Sequence, residues 1–160
     1  MKVFLAGDHA GFHLKSVLLD QLSLQGHEVQ DMGPFELNPD DDYPDFVIPL
    51  AKAVAENPGS FGIVCAGSGQ GEAMCANRTP GIRAAVFYGK MPASLALDKE
   101  GARSEDGFDA VRLPRKHNDA NVLSIGTRFV SPVDAEEAVS IFLSTEFSND
   151  ERHARRLGKF

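Results

Sequence analysis

Short apolar runs recur along the chain, and stretches with helical spacing separate them. KVFLA at 2–6, HEVQDMG at 27–33, SFGIVCA at 60–66, IRAAVFY at 82–88 and NVLSIG at 121–126 read as strands. HLKSVLLDQLSLQG, FVIPLAKAVAENPG, EAMCANR and a helix beginning in MPASLALDKEG read as the crossovers, and DAEEAVSIFLSTEF follows the last strand. Pro49 sits in the first turns of the second helix or kinks it. Strands that are apolar at nearly every position need cover on both faces. The alternation therefore predicts an α/β fold, a five-stranded parallel sheet between two helical layers. At 160 residues the chain is read as one domain, 1–160, able to bury a core without staples.

In a doubly wound sheet, ligands gather beyond the carboxyl ends of the strands. Three polar or glycine-rich strand ends meet there: GDHAG after strand one, GSGQGE after strand three and GTR after strand five. Gly67, Gly69 and Gly71 let a ligand approach the main chain and, with the following helix start, form a cradle of N–H donors. The turn lacks the Lys-Ser/Thr of a P-loop and follows the third strand, so neither nucleotide fingerprint fits.

Composition narrows the partners. A formal net charge of −7 opposes general nucleic-acid or membrane binding, since phosphate backbones demand a basic face. An anionic ligand must be met locally, and the dense basic stretch is RHARRLGK at 152–159, within a C-terminal basic tail over 149–160. Left alone, that tail reads as a solvated helix face. Cys65 and Cys75 match no common zinc pattern and imply no disulfide framework. No apolar run approaches bilayer length, and MKVFLAG is too short for a signal peptide, so a cytoplasmic location is expected.

The candidate groups each have an ordinary explanation. Cys65, inside an apolar strand, reads first as a small core hydrophobe. Glu72 is a helix-dipole acid or, beside three glycines at a strand end, a functional carboxylate. Asp8 and His9 cap the next helix or line a site. His9 and His13 have i, i+4 spacing without a third ligand, and His117 in RKHND is by itself a loop residue.

Taken together, GDHAG at 7–11, DYP at 42–44, GSGQGE at 67–72, ANR-x-PGIRA at 76–84, HNDANVL at 117–123, GTR at 126–128 and R-H-x-R-R at 152–156 resemble the ribose-5-phosphate isomerase B family, which includes the galactose-6-phosphate isomerase subunits. The resemblance covers nearly the whole chain. It implies a Rossmann-like α/β/α domain, a metal-independent and cofactor-free aldose–ketose isomerase, and a homodimer or homotetramer with shared active sites. Many members carry a catalytic cysteine immediately before the glycine turn, where this chain has Ala66; a second branch has Gly-Ser-Gly-x-Gly-Glu, as here. A one-residue offset on a strand reverses the side chain's face, which turns the expectation from Cys65 to Glu72.

By the same resemblance Glu72 is the proton carrier and Ser68, with the N–H groups of Gly69 to Gly71, steadies the enediolate. His117 and Asp8 open the sugar ring, and Tyr43, Gly67 and Asn118 line the site. His9, Arg128, Arg152 and Arg156 contact phosphate. The implied substrate is a phosphorylated sugar, ribose 5-phosphate first, with a hexose 6-phosphate of the allose or galactose type as the alternative. A non-catalytic sugar-phosphate-binding module is the reading from another class. The stretch 97–114 departs from the family pattern and reads as an insertion, exposed beside the mouth of the site, with Phe108 and Val111 as its apolar anchors.

Overall fold

The computed structural model describes residues 1–98 and 100–159. Its sheet has five parallel strands: β1 (Lys2–Gly7), β2 (Glu28–Asp31), β3 (Phe61–Ala66), β4 (Ala84–Phe87) and β5 (Val122–Gly126), ordered β2-β1-β3-β5-β4. Side chains alternate across it. Val3, Leu5, Ile63, Cys65, Leu123 and Ile125 enter one core with α1 (Phe12–Leu24), α4 (Asp109–Asn118) and α5 (Pro132–Ser144). Phe4, Ala6, Val64 and Val122 enter the other with α2 (Pro44–Glu56) and α3 (Gln70–Ala76). The expected three-layer α/β/α architecture is thus the observed one, with the central strands buried on both faces.

The tail is more ordered than a solvated face. It forms α6 (Glu151–Leu157), whose His153 is buried against α4, while Arg152 and Arg156 are exposed. The helix expected to begin in MPASLALDKEG does not form. Among the described residues, 88–107 lack regular structure, and the crossover helix before β5 starts only at Asp109. Apolar anchoring decides this boundary: Phe108 and Val111 are fully buried, with Phe108 stacked on Phe87, whereas Met91 and Leu95 are exposed. Residues 109–114, read as part of the insertion, belong to α4, which carries Pro114 inside it.

Candidate active site

The carboxyl ends of β1, β3 and β5 converge as parallel pairing requires. The Asp8 N–H donates to the Cys65 carbonyl, and Thr127 donates its N–H and hydroxyl to the Ala66 carbonyl. Its hydroxyl also reaches the Ala10 carbonyl at 3.1 Å. These bonds join three loops into one floor.

On that floor stands the glycine turn. Gly69 caps α3 in the left-handed region at φ 73°, a conformation that favours glycine, and its carbonyl accepts from the buried Ser124 hydroxyl at 2.8 Å. A Cβ at Gly71 would meet Tyr43 Oη at 2.8 Å, and one at Gly67 would meet the Arg128 guanidinium carbon at 3.0 Å. The turn is therefore flanked by Tyr43 and Arg128. Ser68 Oγ accepts from the Gln70 N–H at 3.3 Å.

Glu72, in the first turn of α3, is 5% exposed, and its Oε2 is buried without a hydrogen-bond partner. Burial raises its pKa above the ordinary carboxylate range; nearby Asp8 adds to the rise and Arg128 opposes it. A capping acid would have its oxygens bonded or solvated, and this one has a buried oxygen with no partner. Asp8 is also buried, with Oδ1 accepting from the Gly11 N–H at 2.9 Å, so it serves the turn as well as facing the site. Cys65 points into the opposite core and is fully buried, which pushes its thiol up to about 12. A base that must ionise near neutrality is not made there.

The connection from β2 to α2 brings in Tyr43 and Asp41. Lys15, 2% exposed, fixes the start of that connection by donating to Asp31 at 2.6 Å and to the Pro34 carbonyl at 2.9 Å. His9 Nδ1 lies 2.7 Å from Asp41 Oδ1, and this bond raises the imidazole's pKa. His13 is exposed on α1.

His117, Asn118, Arg152 and Arg156 are elsewhere. His117 lies in the last turn of α4, immediately before β5 begins, at the amino edge of the sheet. With β5 five residues long, about 15 Å of strand separate that edge from Glu72's. There the His117 ring lies 4.2 Å from that of His153, and the Ser148 N–H donates to the Lys116 carbonyl. Burial lowers the His117 pKa, with His153 and Arg152 adding to the effect. One protomer thus brings Asp8, His9, Tyr43, Gly67, Ser68, Gly69, Gly71, Glu72 and Arg128 together and holds His117, Asn118, Arg152 and Arg156 apart.

The family model for ribose/galactose isomerases matches this chain over residues 3–104 and 102–160. The chain belongs to that family. Ribose-5-phosphate isomerase B of Mycobacterium tuberculosis is 38% identical over 157 residues, covering 98% of this chain and 86% of the relative. Among solved structures, ribose-5-phosphate isomerase B of Mycoplasma genitalium with bound ribulose-5-phosphate superposes with a TM-score of 0.84 at 32% identity, over 99% of this chain and 92% of that one. That of Clostridium thermocellum gives 0.82 at 38% identity, over 99% and 94%. Both isomerases share the whole fold described above. Among the described residues, no helix is long and apolar enough to cross a membrane.

The motifs identified the strand-end groups because chemistry-bearing types stand beside glycine there. They missed Ser124, an ordinary strand residue by pattern, and Asp41, hidden among three consecutive acids.

Proposed function

We propose that this chain is a type B ribose-5-phosphate isomerase, interconverting ribose 5-phosphate and ribulose 5-phosphate through an enediolate with Glu72 as proton carrier. The observation that carries the reading is the buried Glu72 carboxyl, one oxygen unpartnered, at the end of a glycine turn flanked by Arg128 and Tyr43. As carboxylate, Glu72 takes the proton from C2 of the open-chain aldose. The C1–C2 double bond forms and charge moves to the C1 oxygen, where Ser68 and the turn's N–H groups stabilise it. Glu72 then returns the proton to C1 while the C2 hydroxyl proton passes to the C1 oxygen, leaving the ketose.

Ring opening and phosphate binding need the second set of groups. In this reading a second copy of the chain supplies its His117, Asn118, Arg152 and Arg156 to the Glu72 site of the first, so the working unit is at least a dimer. Asp8 and the partner's His117 exchange protons with the ring oxygen and the C1 hydroxyl. His9, Arg128 and the partner's Arg152 and Arg156 hold the phosphate, for which guanidinium forks are suited.

The segment 88–107 is read as a rim to the same site. Tyr88, at its start, would meet a Cβ on Gly126 at 2.8 Å, and that same Cβ would meet the Ser68 carbonyl at 2.9 Å. The rim therefore begins one residue's width from the turn and bears on which sugar fits. Purified protein assayed on pentose and hexose phosphates tests the reading: kcat/KM is expected to be highest for ribose 5-phosphate. A preference for a hexose 6-phosphate would move the substrate, and no turnover on any would remove the enzyme reading.

A further inference from the structure

His9 is not a free imidazole. Asp41 reaches it from the connection between β2 and α2, and its Oδ1 accepts from the His9 backbone N–H at 3.2 Å and meets Nδ1 at 2.7 Å. The Asp41 side chain is 5% exposed and its Oδ2 is buried with no partner, while the His9 side chain is 36% exposed. Among the described residues no other donor bonds the shielded Asp41 carboxylate, and Nδ1's bond to it leaves Nε2 to face a ligand.

We propose that Asp41 is a positioning residue for His9, fixing the imidazole through Nδ1 so that Nε2–H is presented to the substrate's phosphate. The inference rests on the sugar-phosphate isomerase reading for the identity of that anion. The charged groups facing His9 are Asp8 from the end of β1, Asp41 from its connection and Arg128 from the turn after β5. Asp41 and Asp8 favour the imidazolium; burial and Arg128 oppose it. The raised pKa carries the charged form of the ring to higher pH than an ordinary imidazole's, and the phosphate contact weakens as pH climbs through it. A loop-pinning role for Asp41 alone would have no such titration.

The test measures inhibition by inorganic phosphate and KM for ribose 5-phosphate across pH in the wild type and in Asp41→Asn. Asparagine keeps an acceptor oxygen for the ring and removes the charge. In the variant the loss of phosphate affinity should begin at least about one pH unit lower. At neutral pH, affinity for inorganic phosphate should fall about tenfold or more, with kcat changed far less. Unchanged pH midpoints in a folded variant would overturn the proposal.

Nitrogen NMR of His9 in the wild type, assigned with His9→Asn, supplies a readout independent of turnover and of the variant's folding. A protonated Nδ1 and a titration above the ordinary imidazole value are expected. A neutral ring protonated only at Nε2 would overturn the assignment. Wild-type protein inactive on every sugar phosphate but with this His9 titration would sink the isomerase reading and leave the Asp41–His9 unit standing.

Discussion

The two edges of the sheet are built by different means. At the carboxyl edge, Asp8, Ser68, Glu72 and Arg128 each stand within a few residues of a strand end, and backbone bonds such as Asp8 N–H to Cys65 O lock those ends together. At the amino edge, His117 depends on a helix end, and on α6 folding back so that His153 meets it. One edge is rigid by covalent proximity to the sheet; the other is assembled by tertiary contact. In the proposed mechanism proton transfer, which requires sub-ångström placement, is assigned to the first edge, and the phosphate contacts of long exposed arginines, which tolerate looser placement, to the second.

Removing the base should have the largest effect. Glu72→Gln preserves size and hydrogen bonding but not basicity, so kcat should fall about 10²–10⁴-fold. KM should move little, because the phosphate contacts remain. Steady-state kinetics on ribose 5-phosphate checks this, and a near-wild-type kcat would strip the carboxyl edge of its chemical role.

The amino edge should respond in the other parameter. Arg156→Ala removes a charge-assisted contact and should raise KM about 10–100-fold with a smaller change in kcat. Mixing it with Glu72→Gln protein after verified subunit exchange should restore activity, since each heterodimer has one site free of both lesions. Random pairing in a two-fold dimer gives roughly a quarter of the wild-type rate when substrate is well below the wild-type KM. No recovery would mean that the two edges do not meet across subunits.

A pH profile sharpens the same contrast. In the proposed mechanism activity needs Glu72 ionised, so its raised pKa should put the acid limb of kcat/KM above the ordinary carboxylate value of 4.5. It needs His9 charged, so the fall on the basic side comes above the ordinary 6.5. His117, with its pKa lowered, loses its charge at a lower pH than His9 does. Limb slopes of about tenfold per pH unit are expected, and Glu72→Gln should abolish the acid limb.

Much of this was legible beforehand, for physical reasons. Near-continuous apolar strands admit few alternatives to a parallel sheet, and glycine clusters mark where chain and ligand approach closely. The face of Cys65 followed from a period of two. What escaped was set by distance in space. The stretch beginning MPASLALDKEG has local helix formers, but its Met91 and Leu95 are exposed, and α4 begins where Phe108 finds Phe87. The tail has the pattern of a solvated helix face, yet His153 is buried against His117, a contact between residues 36 positions apart. Asp41 carries no pattern that separates it from Asp40 or Asp42 until the fold sets it on His9.

The rim comes next in size. Replacing residues 91–105 with a short Gly-Ser link leaves Phe108 stacked on Phe87 and keeps Asp106, which accepts from the Phe108 N–H and pairs with Arg112 of α4. It also leaves Lys90, which pairs with Asp134 and Glu137 on α5. Loop length itself costs little, so the protein should fold. A rim that selects sugars predicts several-fold changes in the kcat/KM ratio between pentose and hexose phosphates. Equal ratios before and after would make the segment a passive insertion.

The smallest effect is expected at the residue that first attracts attention. Cys65 lies on β3 two residues before the glycine turn, yet its side chain packs with Leu5, Leu18 and Ile125 in the core opposite α3. Its thiol, pushed up to about 12, is protonated throughout the working range. Cys65→Ala should keep kcat and KM while losing about 1 kcal/mol of stability from the vacated sulfur volume, read as a lower urea midpoint. Iodoacetamide should leave the folded wild type's Cys65 unmodified, because thiolate and access are both lacking. A folded, inactive Cys65→Ala protein would show that the α1–α5 face of the sheet takes part in the chemistry, and the assignment of proton transfer to Glu72 would fall with it.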